Sequence, residues 1–169
     1  MAPETFDPET PIREIAHGQH QVSLALPPLV GPNDRVILFD GVCNLCNGSV
    51  RFILRVDRRR VFRLAAIQSP EGQAIMNWFG FSAGMSGTML LVEGGRVSTR
   101  STAILRIASR LPFPWWLAGV GWIVPRVGRD WVYDIVARHR YRWFGRRESC
   151  MLPGPEHEGR FLDTARPID

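Results

Sequence analysis

The run Val36-Ile37-Leu38-Phe39-Asp40-Gly41-Val42-Cys43-Asn44-Leu45-Cys46-Asn47-Gly48-Ser49 decides the fold. Four consecutive apolar residues stop at Asp40-Gly41, which is how a buried strand ends. Beyond it, Leu45, Val50, Ile53, Leu54 and Val56 alternate with Asn47, Ser49, Arg51 and Arg55 at helical spacing, predicting an amphipathic helix from Asn44 to Asp57. Cys43 and Cys46 therefore stand at the mouth of a strand-to-helix junction. A helix N-terminus offers unpaired N–H groups and the positive end of a dipole, and both stabilise a thiolate. The pair reads as a redox site.

Working outward, Arg35 to Phe39 is the first strand and Val61 to Ala65 the second, joined by the helix as in a βαβ crossover. Ser69-Pro70-Glu71 looks like an N-cap followed by proline at the first helical position, opening a helix to about Phe79 that Gly80 stops. Phe81 to Gly87 reads as loop. Thr88 to Val92 and Arg96 to Thr99 read as strands joined through Gly94-Gly95, a pair suited to a tight hairpin. Ser101 is placed to cap a helix to about Arg110, ended by Pro112. The resulting order, β-α-β-α-β-β-α with the cysteines at the first strand-to-helix junction, is that of an α/β, thioredoxin-like core with a mixed four-stranded sheet.

Four regions follow: an N-terminal extension over 1–33, expected to be partly disordered and carrying six prolines; the core over 34–111; a helical appendage over 112–152; and a tail over 153–169. The appendage contains Asp130 to Phe144, a further helix whose Trp131, Tyr141, Trp143 and Phe144 are expected to form its core. Leu111 to Pro125 is free of charge, but it is shorter than the roughly 20 residues a spanning helix needs and is broken by prolines. Core packing is the first reading of this stretch, and membrane-surface contact through its tryptophans the second.

Of 169 residues 45% are hydrophobic, enough for one sizeable core. Net charge is +5, and every basic side chain other than histidine is arginine. Arginine pairs well with carboxylate and phosphate, yet the two clusters, Arg51 to Arg63 and Arg126 to Arg147, fit solvated faces better than a nucleic-acid surface. Three cysteines do not make a disulfide-stapled secreted fold, and Glu4, Asp7 and Glu9 precede any apolar stretch, unlike the basic start of a signal peptide. The expected location is the cytoplasm.

In a dithiol at a helix start, the first cysteine lies nearer the end and is expected to be the more exposed. Cys43 is then the nucleophile, and Cys46 the resolving thiol that attacks the mixed disulfide, with no organic cofactor. The substrate would be a protein or small-molecule thiol or disulfide. Asp40 has two readings: it exchanges protons with a thiol, or it caps the helix or fixes the turn by accepting backbone N–H bonds. A second class of function is a non-catalytic module, zinc-stabilised through Cys43, Cys46, Cys150 and His139 or His157, or an adaptor whose arginine-rich tail binds an acidic or membrane-surface partner.

With these residues in view, the chain resembles the DCC family of thiol-disulfide oxidoreductases, named for Asp-x-x-Cys-x-x-Cys, here Asp40-Gly41-Val42-Cys43-Asn44-Leu45-Cys46. Phe62-Arg63-Leu64-Ala65-Ala66-Ile67-Gln68-Ser69, the Gly94-Gly95 hairpin, Ser101 with its helix, and Tyr141 to Cys150 also look like that family, so the likeness covers about Val36 to Leu152. It implies a thioredoxin-like fold and a dithiol/disulfide activity. Thioredoxins proper place a cis-proline before the third core strand; Gly84-Met85-Ser86-Gly87-Thr88 has none, so substrate docking is expected to differ.

Overall fold

The apolar run of β1 (Arg35–Phe39) is buried from Val36 to Phe39 because the strand lies at the centre of the sheet with both faces covered. In the computed structural model, which describes residues 26–81, 89–147, 157 and 159–162, β1 pairs in parallel with β2 (Arg63–Ala66) and antiparallel with β3 (Leu90–Glu93). The last strand, β4 (Arg96–Ser98), extends β3 through a hairpin in which Gly94 adopts φ 54°, giving the order β2-β1-β3-β4. This is a mixed four-stranded sheet of the α/β class, consistent with the thioredoxin-like expectation.

Side-chain alternation along β1 divides the core in two. Ile37 and Phe39 meet Val50, Ile53 and Leu54 of α1 (Asn44–Val56) and Ala103 and Ile107 of α3 (Arg100–Ala108). Val36 and Leu38 face the other way, onto Ile75 and Met76 of α2 (Pro70–Trp78). That helix starts as its sequence indicates: the Ser69 hydroxyl accepts the Gly72 N–H at 3.1 Å, and Pro70 opens the first turn. Gly72 is dictated by proximity, since a Cβ there would lie 2.0 Å from the Ala66 carbonyl oxygen.

Several expectations shift. The second strand begins at Arg63, not Val61, because Asp57 holds the Val61 and Phe62 N–H groups, each at 3.0 Å, away from the ladder. Ser101 does not cap α3; Thr99 takes the N-cap position, and the Ser101 hydroxyl bonds Asp130 on a distant helix. That helix, α4, runs over Arg126–Phe144, starting four residues earlier than Asp130, directly after Pro125. It lies against α3 and α1, and its Tyr133 hydroxyl accepts the Met89 N–H at 3.1 Å.

The uncharged stretch is not core. Trp115–Ile123 forms a 3-10 helix with no buried residue, packed on α3 along one side and touching Phe52 through Trp115, ring centroids 4.6 Å apart. Besides α3 and Phe52, the Arg129 guanidinium lies over the Trp122 ring, 4.9 Å from its centroid, and these neighbours leave most of the apolar surface of the helix uncovered. Trp131, Tyr141, Trp143 and Phe144 are exposed as well, because the inward stripe of α4 is Tyr133, Ala137 and Arg140.

Part of the C-terminal tail joins the sheet edge. Leu64 N–H bonds the Arg160 carbonyl and Leu162 N–H bonds the Leu64 carbonyl, both at 2.8 Å. The buried Arg160 guanidinium meets Asp57 Oδ2 at 2.8 Å and the Phe62 carbonyl at 3.2 Å. Val30, from the end of the N-terminal extension, is buried in the core half formed with α2. The rest of that extension up to residue 25, the stretch Gly84 to Thr88 and Cys150 lie outside the described residues.

Candidate active site

Asp40 follows the last residue of β1, Gly41-Val42 makes the turn, Cys43 is the N-cap of α1, and Cys46 lies in its first turn. Cys43 has extended backbone angles, and its carbonyl accepts the Asn47 N–H at 2.9 Å, the first bond of the helix. The turn is fixed from both sides. Cys43 N–H donates to the Asp40 carbonyl at 3.2 Å, and the Asn47 side-chain amide donates to the Gly41 carbonyl at 2.8 Å. Both cysteines are free thiols.

Asp40 is fully buried and collects four donors. Its Oδ1 accepts from Val42 N–H at 3.2 Å and from the Gln68 amide at 2.8 Å, while Gln68 Oε1 takes the Gly41 N–H at 3.0 Å. Its Oδ2 accepts from Arg140 Nη2 at 2.7 Å and from the Tyr141 hydroxyl. Asp40 thus holds Val42 N–H and the Gln68 side chain at the turn, no side chain among the described residues caps α1, and two further partners come from α4 that no local spacing reveals.

Arg140 is the residue the sequence reading missed. It is buried, and its second terminal nitrogen, Nη1, lies 3.8 Å from Cys46 Sγ, so one guanidinium bridges the carboxylate and the inner thiol. Burial works against its charge, but Cys46, Tyr141, Asp40 and Cys43 outweigh it and hold the guanidinium protonated above its ordinary range. A faint signal exists in the sequence: Tyr133, Ala137 and Arg140 recur at helical spacing on the inner face of α4, which marks Arg140 as an inward arginine in need of an acid.

Burial pushes the Cys46 thiol up to about 12, with further upward contributions from the negative charge of Cys43 and a hydrogen bond to it; Arg140 opposes the shift and Asp40 adds to it. Tyr141 also rises to about 12, first through burial and then through its bond to the Asp40 carboxylate. At neutral pH both therefore keep their protons.

The expected difference in exposure is reversed. Cys43 is 0% exposed and Cys46 7%, because the chain leaving α4 crosses over the N-terminus of α1. Arg147 N–H donates to the Val42 carbonyl at 2.8 Å, Arg146 forms an antiparallel bridge with Cys43, and Asn44 binds the Phe144 carbonyl at 2.9 Å. Gly145, at φ 81°, makes the reversal that brings this segment across. Beside it, an apolar cleft of about 510 Å³ runs between α1 and α3, lined by Leu45, Phe52, Ile104, Leu111 and Phe144 among others.

Of the residues considered for zinc, His139 is committed elsewhere: its Nδ1 lies 2.8 Å from the Ile135 carbonyl and its ring stacks on Trp143. Among the described residues no three His, Cys, Asp or Glu side chains converge, and Cys150 is not one of those residues.

Comparison with known proteins agrees with the geometry. The DCC1-like thiol-disulfide oxidoreductase family profile matches residues 37–146, from β1 to the segment over Cys43. YuxK, an uncharacterized protein of Bacillus subtilis, is 42% identical over 131 residues, covering 78% of this chain and 95% of its own. A chloroplastic DCC family protein of Arabidopsis thaliana is 42% identical over 119 residues, 69% of each chain. No solved structure matches. The Asp40-Cys43-Cys46 junction and the α4 segment that closes over it thus both fall within the match, and the chain belongs to the DCC1-like thiol-disulfide oxidoreductase family.

Proposed function

We propose that Cys43 and Cys46 cycle between dithiol and disulfide through a mixed disulfide. The Cys43 thiolate attacks one sulfur of a substrate disulfide, the substrate S–S bond breaks, and the departing thiolate takes a proton. Cys46, once deprotonated, attacks Cys43 Sγ, forming the internal disulfide and releasing the second substrate thiol. Two electrons and two protons pass from the protein to the substrate, and no organic cofactor is needed. The observation that carries this reading is the placement of the pair, Cys43 as the N-cap of α1 and Cys46 in its first turn beside it, with burial pushing the Cys46 thiol up to about 12.

In this scheme Asp40 holds the turn and Arg140 in place, and Arg140 stabilises the Cys46 thiolate when it forms. Substrate reaches Cys43 by displacing residues 145–147. The substrates are protein or small-molecule disulfides, and the cysteine count favours a reducing compartment such as the cytoplasm. The test is single-turnover reduction of a disulfide by the prereduced chain. Cys43→Ser abolishes exchange, and Cys46→Ser accumulates mixed disulfides; exchange at the wild-type rate in both variants overturns the mechanism.

A further inference from the structure

From Phe113 to Val132 the surface is unusually apolar. Trp116, Trp122, Ile123, Val124, Val127 and Trp131 are all exposed, Ile123 at 81% and Val127 at 84%. Large apolar side chains left exposed this closely along one segment mark a surface made for contact. None of these side chains belongs to the dithiol site.

Charge identifies the occupant. The stretch from Leu111 to Pro125 carries none, and α4 continues it with Val127, Trp131, Arg138 and Arg142 along one outward strip, apolar first and cationic after. Residues 126–147 hold seven arginines against two aspartates. Asp130 is engaged by Ser101 and Arg126, and Asp134 by Arg100, so neither offsets the outer strip. Tryptophans beside an arginine-rich strip suit the headgroup layer of an anionic bilayer, where indoles sit at the apolar boundary and guanidinium groups pair with phosphate. A symmetric contact with a second copy through this strip would bring in a second set of the same arginines, and the strip itself supplies no carboxylate to pair with them. Among the described residues no helix is long and apolar enough to cross a membrane, so contact is with its surface.

We propose that the 3-10 helix and the outer strip of α4 dock the chain onto an anionic lipid surface, with the dithiol carried beside it. The test mixes the full chain with sedimenting vesicles of phosphatidylglycerol and phosphatidylcholine, or of phosphatidylcholine alone. Binding to the anionic vesicles is expected to be at least 10-fold tighter, to blue-shift tryptophan emission and to weaken as salt rises. Ile123→Glu with Val127→Glu, both at highly exposed positions, is expected to lower binding at least 10-fold while exchange with a dissolved disulfide stays as in wild type. Arg138→Glu with Arg142→Glu is expected to remove the anionic preference. The proposal is overturned if the chain partitions onto neither vesicle, if the Glu variants bind as well as wild type, or if light scattering finds a dimer that Ile123→Glu/Val127→Glu dissociates.

Discussion

Arg140 Nη2 lies 2.7 Å from Asp40 Oδ2, tying two residues 100 positions apart into a buried ion pair beside the dithiol. A buried pair is hard to break from one side, because the remaining charge loses its partner while still out of water. Arg140→Met is therefore expected to cost about 3–5 kcal/mol in urea unfolding. Asp40→Asn is expected to cost a similar amount, and the double variant less than the sum of the two.

The pH at which Cys46 becomes reactive reports its surroundings. In Cys43→Ala the charge and hydrogen bond of Cys43 are gone, while burial remains. The midpoint for alkylation of Cys46 is expected to fall below about 12 yet stay above the ordinary 9.0. Adding Arg140→Met removes a stabilising cation and should move the midpoint back up, as stopped-flow alkylation across pH would register.

Alkaline stability carries the same signature. Cys46 and Tyr141 both hold protons in the folded chain that the unfolded chain has released, Cys46 above 9.0 and Tyr141 above 10.0. Their contribution is complete below those values and is lost as pH rises towards about 12. Unfolding free energy should accordingly decline over that window, and Tyr141→Phe should flatten the part above pH 10. A slope unchanged in Tyr141→Phe would contradict the assignment.

Gly72→Ala tests the contact between α2 and the end of β2. The added methyl would sit 2.0 Å from a backbone oxygen that cannot swing aside, so helix and strand must separate. The expected cost is about 3 kcal/mol, read from the denaturation midpoint.

Arg160 tests the tail. Removing its guanidinium leaves Asp57 buried with, among the described residues, the Val61 and Phe62 N–H groups as its side-chain partners. Arg160→Met is expected to destabilise the chain by about 3 kcal/mol and to raise hydrogen exchange at Leu64 and Leu162, whose N–H groups lie in the pairing that Arg160 anchors.

What the sequence makes legible here is local. The first strand spans Arg35–Phe39 as read, α1 ends one residue short of the expected Asp57, and Gly94-Gly95 turns the hairpin, since each is written in the spacing of neighbouring residues. The misreadings that bear on the site and on the exposed aromatics are long-range. Ser101 looks like a cap until Asp130 claims its hydroxyl, and Cys43 looks open until residues 145–147 cross it. Trp131 and Trp143 look like core because size and apolarity say nothing about whether a neighbour is present. The cysteines and Asp40 stand out by motif, whereas Arg140 and Gln68 reach Asp40 only once the chain has folded.

The hundred residues between Asp40 and Arg140 also set an order in time. On the ribosome both cysteines emerge long before α4 is made, and until then they have neither the buried guanidinium nor the covering strand. A nascent chain therefore carries two ordinary thiols. Their burial comes last, when α4 docks and the segment after it crosses Cys43, so the unfinished chain is the form whose cysteines stand open to solvent.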